Sequence, residues 1–362
     1  MDIVKDFSGG NINILDINGD EIYVEREIRD DKGYFYWAFC VKNAGGKKLT
    51  FNFPSSERVG MFGAAVSYDL KNWFWSESKF TKEGKDGFTY HFSEDENSVY
   101  FAHNMIYTEL RLKDFLENYD ITPRVFCKSK KGRDVPFFSM GEGEKILLVT
   151  SRHHACESTG TYVLEGIAKG FLENPIKGIK FVFVPFVDYD GVTDGDAGKD
   201  RLPHDHNRDY KETPSIYHET EKLKELADGG NVLMNFDLHS PHHAGWINDY
   251  PYLMRCEDEE GKTDVALSRL LREYTEKDAS SMKYSGNEDL PSGSKYNGKD
   301  TENMRNYFMK RTLSRLSYTL EMPYFGLPEN KFGQEKTVNF GKNLYRAIVE
   351  IIKEKRLLNE KV

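Results

Sequence analysis

Polar residues with the chemistry of metal ligands follow two apolar runs of the sequence. The segment Ser151-Arg-His-His-Ala-Cys-Glu157 comes directly after a run that ends at Thr150. His154 and Glu157 are three positions apart, so one helical turn can aim an imidazole and a carboxylate at the same ion. The segment Asp237-Leu-His239 ends a second apolar run. Two histidines and one glutamate form the ligand set of several catalytic zinc sites, which keep a fourth position open.

Two further polar groups could complete a reactive centre. Glu321 lies near the end of the run Leu316-Ser-Tyr-Thr-Leu-Glu321, where a carboxylate loses hydration unless it has a partner or a chemical role. Asn207 and Arg208 lie in a polar stretch, where a guanidinium beside an amide suits capture of a carboxylate. Each motif taken alone is common, and a histidine, glutamate or arginine at such a position is often an ordinary surface or core group.

The elements that must position these residues are strands alternating with helices. This pattern predicts an α/β domain with a mixed, largely parallel sheet covered on both faces. Such sheets bind their ligands at the carboxyl ends of the strands. The predicted strands are 145–150, 180–185, 232–238 and 316–321, and the predicted helices are 161–172, 218–227, 265–274 and 338–355.

The first third of the chain has a different period. From residue 11 to 105, aromatic and β-branched residues alternate with polar ones between turn-forming glycines and asparagines, which indicates a small antiparallel β-sandwich. A helical segment follows at 107–119, and a basic stretch at 128–134 is typical of an exposed connection. We therefore expect a sandwich domain at residues 1–125 and a catalytic domain at 126–362.

Composition excludes several classes of function. The chain has 50 Lys and Arg against 59 Asp and Glu, a net charge of −9, which argues against binding nucleic acid through bulk charge. No apolar window approaches the ~18 residues of a membrane span, and residues 1–7 do not resemble a secretion signal, so we expect neither membrane insertion nor secretion. The four cysteines are scattered without a CxxC pair, so we expect free thiols and a cytoplasmic location. Oligomeric state is left open.

The order HxxE, Asn-Arg, Asp-x-His and a strand ending in Thr-x-Glu resembles the zinc carboxypeptidases. Three stretches, 35–42, 99–107 and 317–321, are similar to the cytosolic carboxypeptidase-like branch, which carries an N-terminal β-sandwich. The resemblance implies one zinc ion held by His154, Glu157 and His239, with Glu321 as the general base that activates a water. It also implies that Asn207 and Arg208 hold the terminal carboxylate of a peptide or protein tail, and that Asp237 orients a ligand.

The sequence departs from the family at three places. Gly198 stands where the family has an arginine that stabilises the oxyanion, so Lys199 or Arg201 is expected to substitute, and Arg201 is favoured because a guanidinium can donate two hydrogen bonds. Tyr296 is a candidate for a tyrosine that some members place near the substrate carboxylate. Ser240 and the residues after it replace a Gly-His pair, which changes the wall of the pocket.

Other classes of function remain as alternatives. A zinc amidohydrolase that deacylates an N-acyl amino acid would use the same metal and the same glutamate. A non-catalytic peptide-binding protein is a second alternative, although retention of the three ligands and of Glu321 speaks against it. No GxSxG elbow, GxxxxGK[ST] loop or GxGxxG turn is present, which excludes the corresponding serine hydrolase and nucleotide-binding signatures. The side-chain preference is not predicted.

Overall fold

The N-terminal part of the protein consists of short strands. A computed structural model describes residues 1–29, 35–211, 214–257, 264–294 and 296–358. The strands of this part are β1 (Asp2–Val4), β2 (Asn13–Asn18), β3 (Glu21–Glu25), β4 (Ala38–Lys42), β5 (Lys48–Asn52), β6 (Ala65–Ser67), β7 (Trp73–Trp75), β8 (Lys79–Lys82), β9 (Lys85–His91) and β10 (Ser98–Ala102).

These strands form two five-stranded sheets that pack face to face. One sheet has the order β1-β4-β10-β6-β7 and the other has the order β2-β3-β5-β9-β8. All pairs are antiparallel except β3 with β5, which run parallel. Aromatic side chains from both sheets fill the space between them, among them Trp37, Phe39, Phe51, Phe88 and Phe101. The predicted β-sandwich is therefore confirmed, and alternation of buried and exposed residues produces its core.

The second part alternates strands with helices. Its strands are β11 (Arg124–Lys128), β12 (Asp134–Met140), β13 (Lys145–Ser151), β14 (Ile179–Val184), β15 (Val232–His239), β16 (Tyr252–Met254) and β17 (Leu316–Glu321). Its helices are α1 (Glu109–Asn118), α2 (Ser158–Glu173), α3 (Tyr189–Asp194), α4 (His218–Asp228), α5 (Ala266–Lys277), α6 (Met304–Met309) and α7 (Gln334–Glu354).

The seven strands form one mixed sheet with the order β11-β12-β14-β13-β15-β17-β16. The central strands β14, β13, β15 and β17 are parallel, and antiparallel strands extend both edges. Helices cover both faces, since α2 and α7 pack on one face while α4 and α6 contribute to a hydrophobic cluster on the other. The predicted α/β class with a mixed sheet is thus confirmed.

Helices α2 and α7 touch through their backbones. Gly166 and Gly341 face each other, and a Cβ atom on Gly166 would lie 2.1 Å from the carbonyl oxygen of Val338. Only glycine permits this close approach. The contact fixes α2, whose first residue directly follows Glu157, against the C-terminal helix.

The two parts of the chain share a continuous hydrophobic core. Trp75 of the sandwich packs edge-on against Phe325 with ring centroids 5.6 Å apart, and its Nε1 donates to the carbonyl oxygen of Phe332. Helix α1 belongs with the second part, because Arg111 forms an ion pair with Glu165 of α2. The expected boundary between residues 125 and 126 falls inside β11. We therefore propose a boundary between β10 and α1.

Within the described ranges, none of the helices combines the length and the apolar composition needed to cross a lipid bilayer. The four cysteines Cys40, Cys127, Cys156 and Cys256 form no disulfide.

Two histidines are buried where the sandwich meets the second part. His103 is fully buried and stacks on Phe35, and its ring lies 5.0 Å from that of His243. Neither ring nitrogen of His103 has a hydrogen-bond partner among the described residues. Burial, reinforced by nearby cationic and imidazole groups, holds the pKa of His103 well below its ordinary value and lowers the pKa of His243 to about 3. Both rings are therefore neutral at pH 7.

This burial predicts acid sensitivity. Below the unfolded-state pKa of ~6.5, the unfolded chain takes up protons that the folded chain rejects, so stability falls by about 1.4 kcal/mol per pH unit for each such histidine. Between pH 7 and pH 5, the free energy of unfolding of His103→Phe should decrease by roughly 2 kcal/mol less than that of the wild type. Urea denaturation at both pH values measures this, and the exposed His91→Gln serves as the control. An unchanged pH dependence in His103→Phe would refute the prediction.

Candidate metal centre and active-site cavity

The register of three parallel strands brings the predicted site residues to one edge of the sheet. Ser151, the last residue of β13, pairs with Leu238 of β15, and His239 pairs with Glu321 of β17. The chain leaves β13 through a short loop that carries His154 and Glu157 and then enters α2. His154 and Glu157 thus follow β13, while His239 and Glu321 are the last residues of β15 and β17, as expected for a site at the carboxyl ends of parallel strands.

His154, Glu157 and His239 converge on one point. The Nδ1 atom of His154 lies 2.9 Å from Oε1 of Glu157, and the Nδ1 atom of His239 lies 2.7 Å from Oε2 of the same carboxylate. One ligand atom from each residue lies within 4.8 Å of the others, and all three residues are buried. Two imidazole nitrogens and a carboxylate at this spacing fit a transition metal ion such as zinc.

The charges around Glu157 keep it ionised. Burial alone would raise the pKa of Glu157, but His154, Lys199 and His239 together hold it well below its ordinary value. The Nζ atom of Lys199 lies 2.6 Å from Oε1. A buried carboxylate that stays ionised can act as a metal ligand, and the two histidines beside it would bind the same ion as neutral imidazoles.

A second set of side chains supports His239 from the opposite side. Asp237 Oδ2 lies 2.7 Å from His239 Nε2, and Asp237 Oδ1 lies 2.8 Å from His153 Nδ1. Thr150 donates to Asp237, and the Tyr210 hydroxyl lies 2.7 Å from His153 Nε2. His153, Asp237 and His239 also have metal-ligand spacing, but the Thr150 and Tyr210 hydroxyls already occupy positions beside Asp237 and His153. The set containing His154 is the one that faces a cavity.

That cavity has a volume of about 690 Å³. Glu321 lies on its wall, is only 8% exposed, and its Oε2 atom has no hydrogen-bond partner in the described part of the chain. Burial raises the pKa of Glu321 to about 7, although His239 opposes the shift. The lining comprises His154, Glu157, Lys199, Asp200, Asp205, Asn207, Arg208, His239, Ser240, Pro241, His242, Trp246, Ile247, Asn248, Tyr252, Met254, Tyr296, Thr301, Asn303, Thr319 and Glu321.

The predicted carboxylate-binding pair reaches the same cavity. Asn207 is buried, and its amide contacts His239 Nε2 at 3.2 Å and accepts from the backbone of Met304. Arg208 is exposed to the cavity and donates to the carbonyl oxygen of Asn207. Asp205 lies 3.7 Å from His154 Nε2, although no role was predicted for it from the sequence. Its position two residues before Asn207 was the one feature that could have indicated a place in the site.

Arg201 is not brought to this cavity. Its guanidinium lies 2.8 Å from Asp188 and 3.3 Å from Asp196, and it lines a neighbouring cavity of about 540 Å³. Gly198 has a φ of +77°, and a Cβ atom there would lie 2.5 Å from the backbone nitrogen of Ala155. A side chain therefore does not fit at Gly198, where the resemblance described above would place an arginine. Lys199 is the cation that the loop presents to the candidate site.

Comparison with known proteins agrees with this architecture. Residues 3–103 match the family described as the cytosolic carboxypeptidase N-terminal domain. An uncharacterized protein of Zymomonas mobilis is 24% identical over 384 residues, covering 96% of this chain and 95% of that protein. Cytosolic carboxypeptidase 2 of Homo sapiens is 26% identical over 289 residues, covering 64% of this chain and 32% of that protein. The chain thus spans about a third of the length of that relative.

Solved structures show the same fold over the whole chain. The metallo-carboxypeptidase of Pseudomonas aeruginosa, in complex with (2-guanidinoethylmercapto)succinic acid, has a TM-score of 0.79 at 19% identity, covering 98% of this chain and 100% of that chain. The metallo-carboxypeptidase of Burkholderia cenocepacia has a TM-score of 0.78 at 18% identity, covering 98% and 99%. The protein therefore has the metallo-carboxypeptidase fold. Residues 3–103 are similar to the N-terminal domain of the cytosolic carboxypeptidases, which confirms the predicted resemblance.

The support that Asp237 gives to His239 predicts a role in metal affinity. We expect Asp237→Asn to weaken zinc binding by roughly 10–100-fold, because the amide no longer holds the His239 ring with a negative charge. Competition with a chromophoric chelator measures the affinity, and circular dichroism verifies the fold. The exposed Asp228→Asn is the matched control. Equal zinc affinity in Asp237→Asn and the wild type would contradict this role.

Proposed function

We propose that this protein is a zinc-dependent carboxypeptidase that removes the C-terminal residue of a peptide or protein tail. One observation carries the proposal: a single cavity combines His154, Glu157 and His239 with the buried carboxylate of Glu321 and the guanidinium of Arg208. This set contains a metal-ligand group, a general base and a carboxylate-binding cation. Hydrolysis of a peptide bond next to a free carboxylate needs these three functions.

The donor set fits a zinc ion. His154 Nδ1, His239 Nδ1 and the Glu157 carboxylate would hold it, and the carboxylate already lies between the two imidazoles. When bound, zinc supplies Lewis acidity, which polarises a carbonyl and lowers the pKa of a coordinated water. Asp237 orients His239, so the ring keeps its Nδ1 atom directed at the other ligands.

Glu321 acts as the general base. Its carboxylate lies beside His239 at the end of the neighbouring strand and lines the cavity. A pKa of about 7 allows the group to take a proton from water near neutral pH and to return it to the leaving amine. The burial that raises this pKa also leaves Oε2 available for the proton.

Arg208 and Asn207 select a chain end. The guanidinium of Arg208 is exposed to the cavity and can donate two parallel hydrogen bonds to a carboxylate. Binding of the terminal carboxylate fixes the last peptide bond beside Glu321, which makes the enzyme an exopeptidase. An N-acyl amino acid would satisfy the same contacts, so deacylation is an outcome that the first experiment must test.

Lys199 stabilises the oxyanion. Among the described residues that line the cavity, the lysines and arginines are Lys199 and Arg208. With Arg208 assigned to the carboxylate, Lys199 is the ammonium that can approach the negative charge developing on the scissile carbonyl oxygen. Its location beside Glu157 and near the carbonyl oxygen of Ser240 supports this role.

The first experiment measures zinc per chain and hydrolysis together. We expect about one zinc ion per chain. Mass spectrometry should show the loss of a single C-terminal residue from peptides with a free carboxylate. Amidated peptides should be resistant, and Glu321→Gln should lose nearly all turnover while it retains zinc. The value of kcat/KM should fall about tenfold per pH unit below pH 7, because protonated Glu321 cannot act as a base. N-acyl amino acids are assayed in the same panel, and hydrolysis of these substrates alone would instead identify a deacylase.

Replacement of Lys199 should affect the transition state more than substrate binding. We expect Lys199→Met to lower kcat by roughly 100-fold with a small change in KM, whereas Lys199→Arg retains part of the rate. A phosphonate peptide, which resembles the tetrahedral state, should lose affinity in calorimetry while a peptide ligand of the ground state does not. Arg201→Lys, which keeps a cation beside Asp188 and Asp196, should keep kcat when measured in parallel. A larger loss in Arg201→Lys than in Lys199→Met would reverse the assignment.

A further inference from the structure

Two exposed aromatic side chains stand on the wall of the candidate active-site cavity. Trp246 is 72% exposed and Tyr296 is 55% exposed, and both line the cavity. Their ring centroids lie 6.4 Å apart at an interplanar angle of 62°. The two residues come from different loops, so the pair spans part of the cavity mouth. We refer to Trp246 and Tyr296 as the aromatic rim.

The exposure of Trp246 is exceptional for its residue type in this chain. The other tryptophans are at most 7% exposed, since Trp37 packs inside the sandwich and Trp73 and Trp75 pack in the core shared with the second part. An indole left in water gives up the burial that stabilises the other three. An exposed aromatic group at the edge of a ligand cavity is a typical recognition feature.

The backbone holds Trp246 in this position. Trp246 has a φ of +56°, in the left-handed region that tryptophan rarely adopts, and it follows Gly245 at +89°. Asp249 Oδ1 accepts a hydrogen bond from the backbone nitrogen of Gly245 and closes the turn. The turn Trp246–Asp249 has no buried residue, so core packing does not account for the conformation. Strain of this kind is common at binding sites.

We propose that the aromatic rim binds the side chain of the residue immediately upstream of the scissile bond and selects aromatic or aliphatic residues there. The proposal rests on the proposed carboxypeptidase function. If Arg208 holds the terminal carboxylate inside the cavity, the remainder of the peptide must leave through the mouth. The penultimate residue then passes Trp246 and Tyr296. Ile247 adds a further apolar side chain to the same wall.

The first test compares peptides that share length and C-terminal residue but differ in the penultimate residue, which is Phe, Leu, Ser or Glu. We expect the wild type to favour Phe over Ser by roughly tenfold in kcat/KM, consistent with an aromatic contact plus buried apolar area. Trp246→Ala should reduce this ratio to about twofold or less, and Trp246→Phe should keep most of it. Phe74→Ala, which removes an exposed aromatic residue of β7, is the matched control.

The second test measures peptide binding at Trp246 by fluorescence, in the absence of hydrolysis. Trp246 is the most exposed tryptophan, so acrylamide should quench its emission preferentially in the free protein. Addition of the Phe-containing peptide to Glu321→Gln should reduce quenching, and the reduction should be absent when Trp246→Ala is combined with Glu321→Gln. The Ser-containing peptide at equal concentration should protect less.

The outcomes of these two tests distinguish failure of the aromatic-rim proposal from failure of the carboxypeptidase proposal. Hydrolysis without penultimate preference, together with unchanged quenching, would overturn the rim and leave the carboxypeptidase proposal standing. Protection of Trp246 by the Phe peptide without hydrolysis by the wild type would support the rim and overturn the catalytic proposal. A preference retained in Trp246→Ala would also overturn the rim.

Discussion

A fully buried carboxylate, that of Glu157, sets the conditions that the rest of the second domain must meet. An ionised carboxylate without water is costly unless cationic groups and hydrogen-bond donors surround it. His154 comes from the same loop, whereas His239 arrives through the register of β15 beside β13. Helix α2 starts directly after Glu157 and is fixed by the backbone contact between Gly166 and Gly341. Helix packing therefore determines where the carboxylate meets the two imidazoles.

The sandwich takes part in building the cavity wall. Phe35 packs edge-on against His242 at 5.8 Å and against His243 at 5.1 Å, and His243 also contacts His103. These histidines follow Ser240 and Pro241, which line the candidate site directly after His239. Aromatic contacts from the first domain thus hold the segment that begins at the predicted metal ligand His239 and forms part of the cavity wall. This dependence gives a physical reason why the two parts share one core and form an interface without a flexible linker between β10 and α1.

The strands, the helices and the site residues at the strand ends could be predicted from the sequence, and the site residues could be predicted for a geometrical reason. Parallel strands present their carboxyl ends at one edge, so His239 and Glu321 had to be neighbours once both strands were recognised. The residues of the loop between α3 and α4 were not predictable in the same way, because irregular segments have no period that fixes the direction of a side chain. The boundary that we propose lies before residue 125 for a related reason, since α1 joins the second part through the ion pair of Arg111 with Glu165, which no local sequence signal indicates.

Arg201 and Lys199 have different positions because buried carboxylates on both sides of α3 need a cationic partner. Asp188 and Asp196 are at most 4% exposed, and two carboxylates this deeply buried require a cation. Arg201 lies close to both, which suits a planar guanidinium with several donors better than an ammonium. The left-handed turn at Gly198 then directs Lys199 toward Glu157. A substitution that removed the Arg201 guanidinium would leave Asp188 without its guanidinium partner and Asp196 with Arg29 alone, and the loop that presents Lys199 would lose an anchor before any catalytic group was touched.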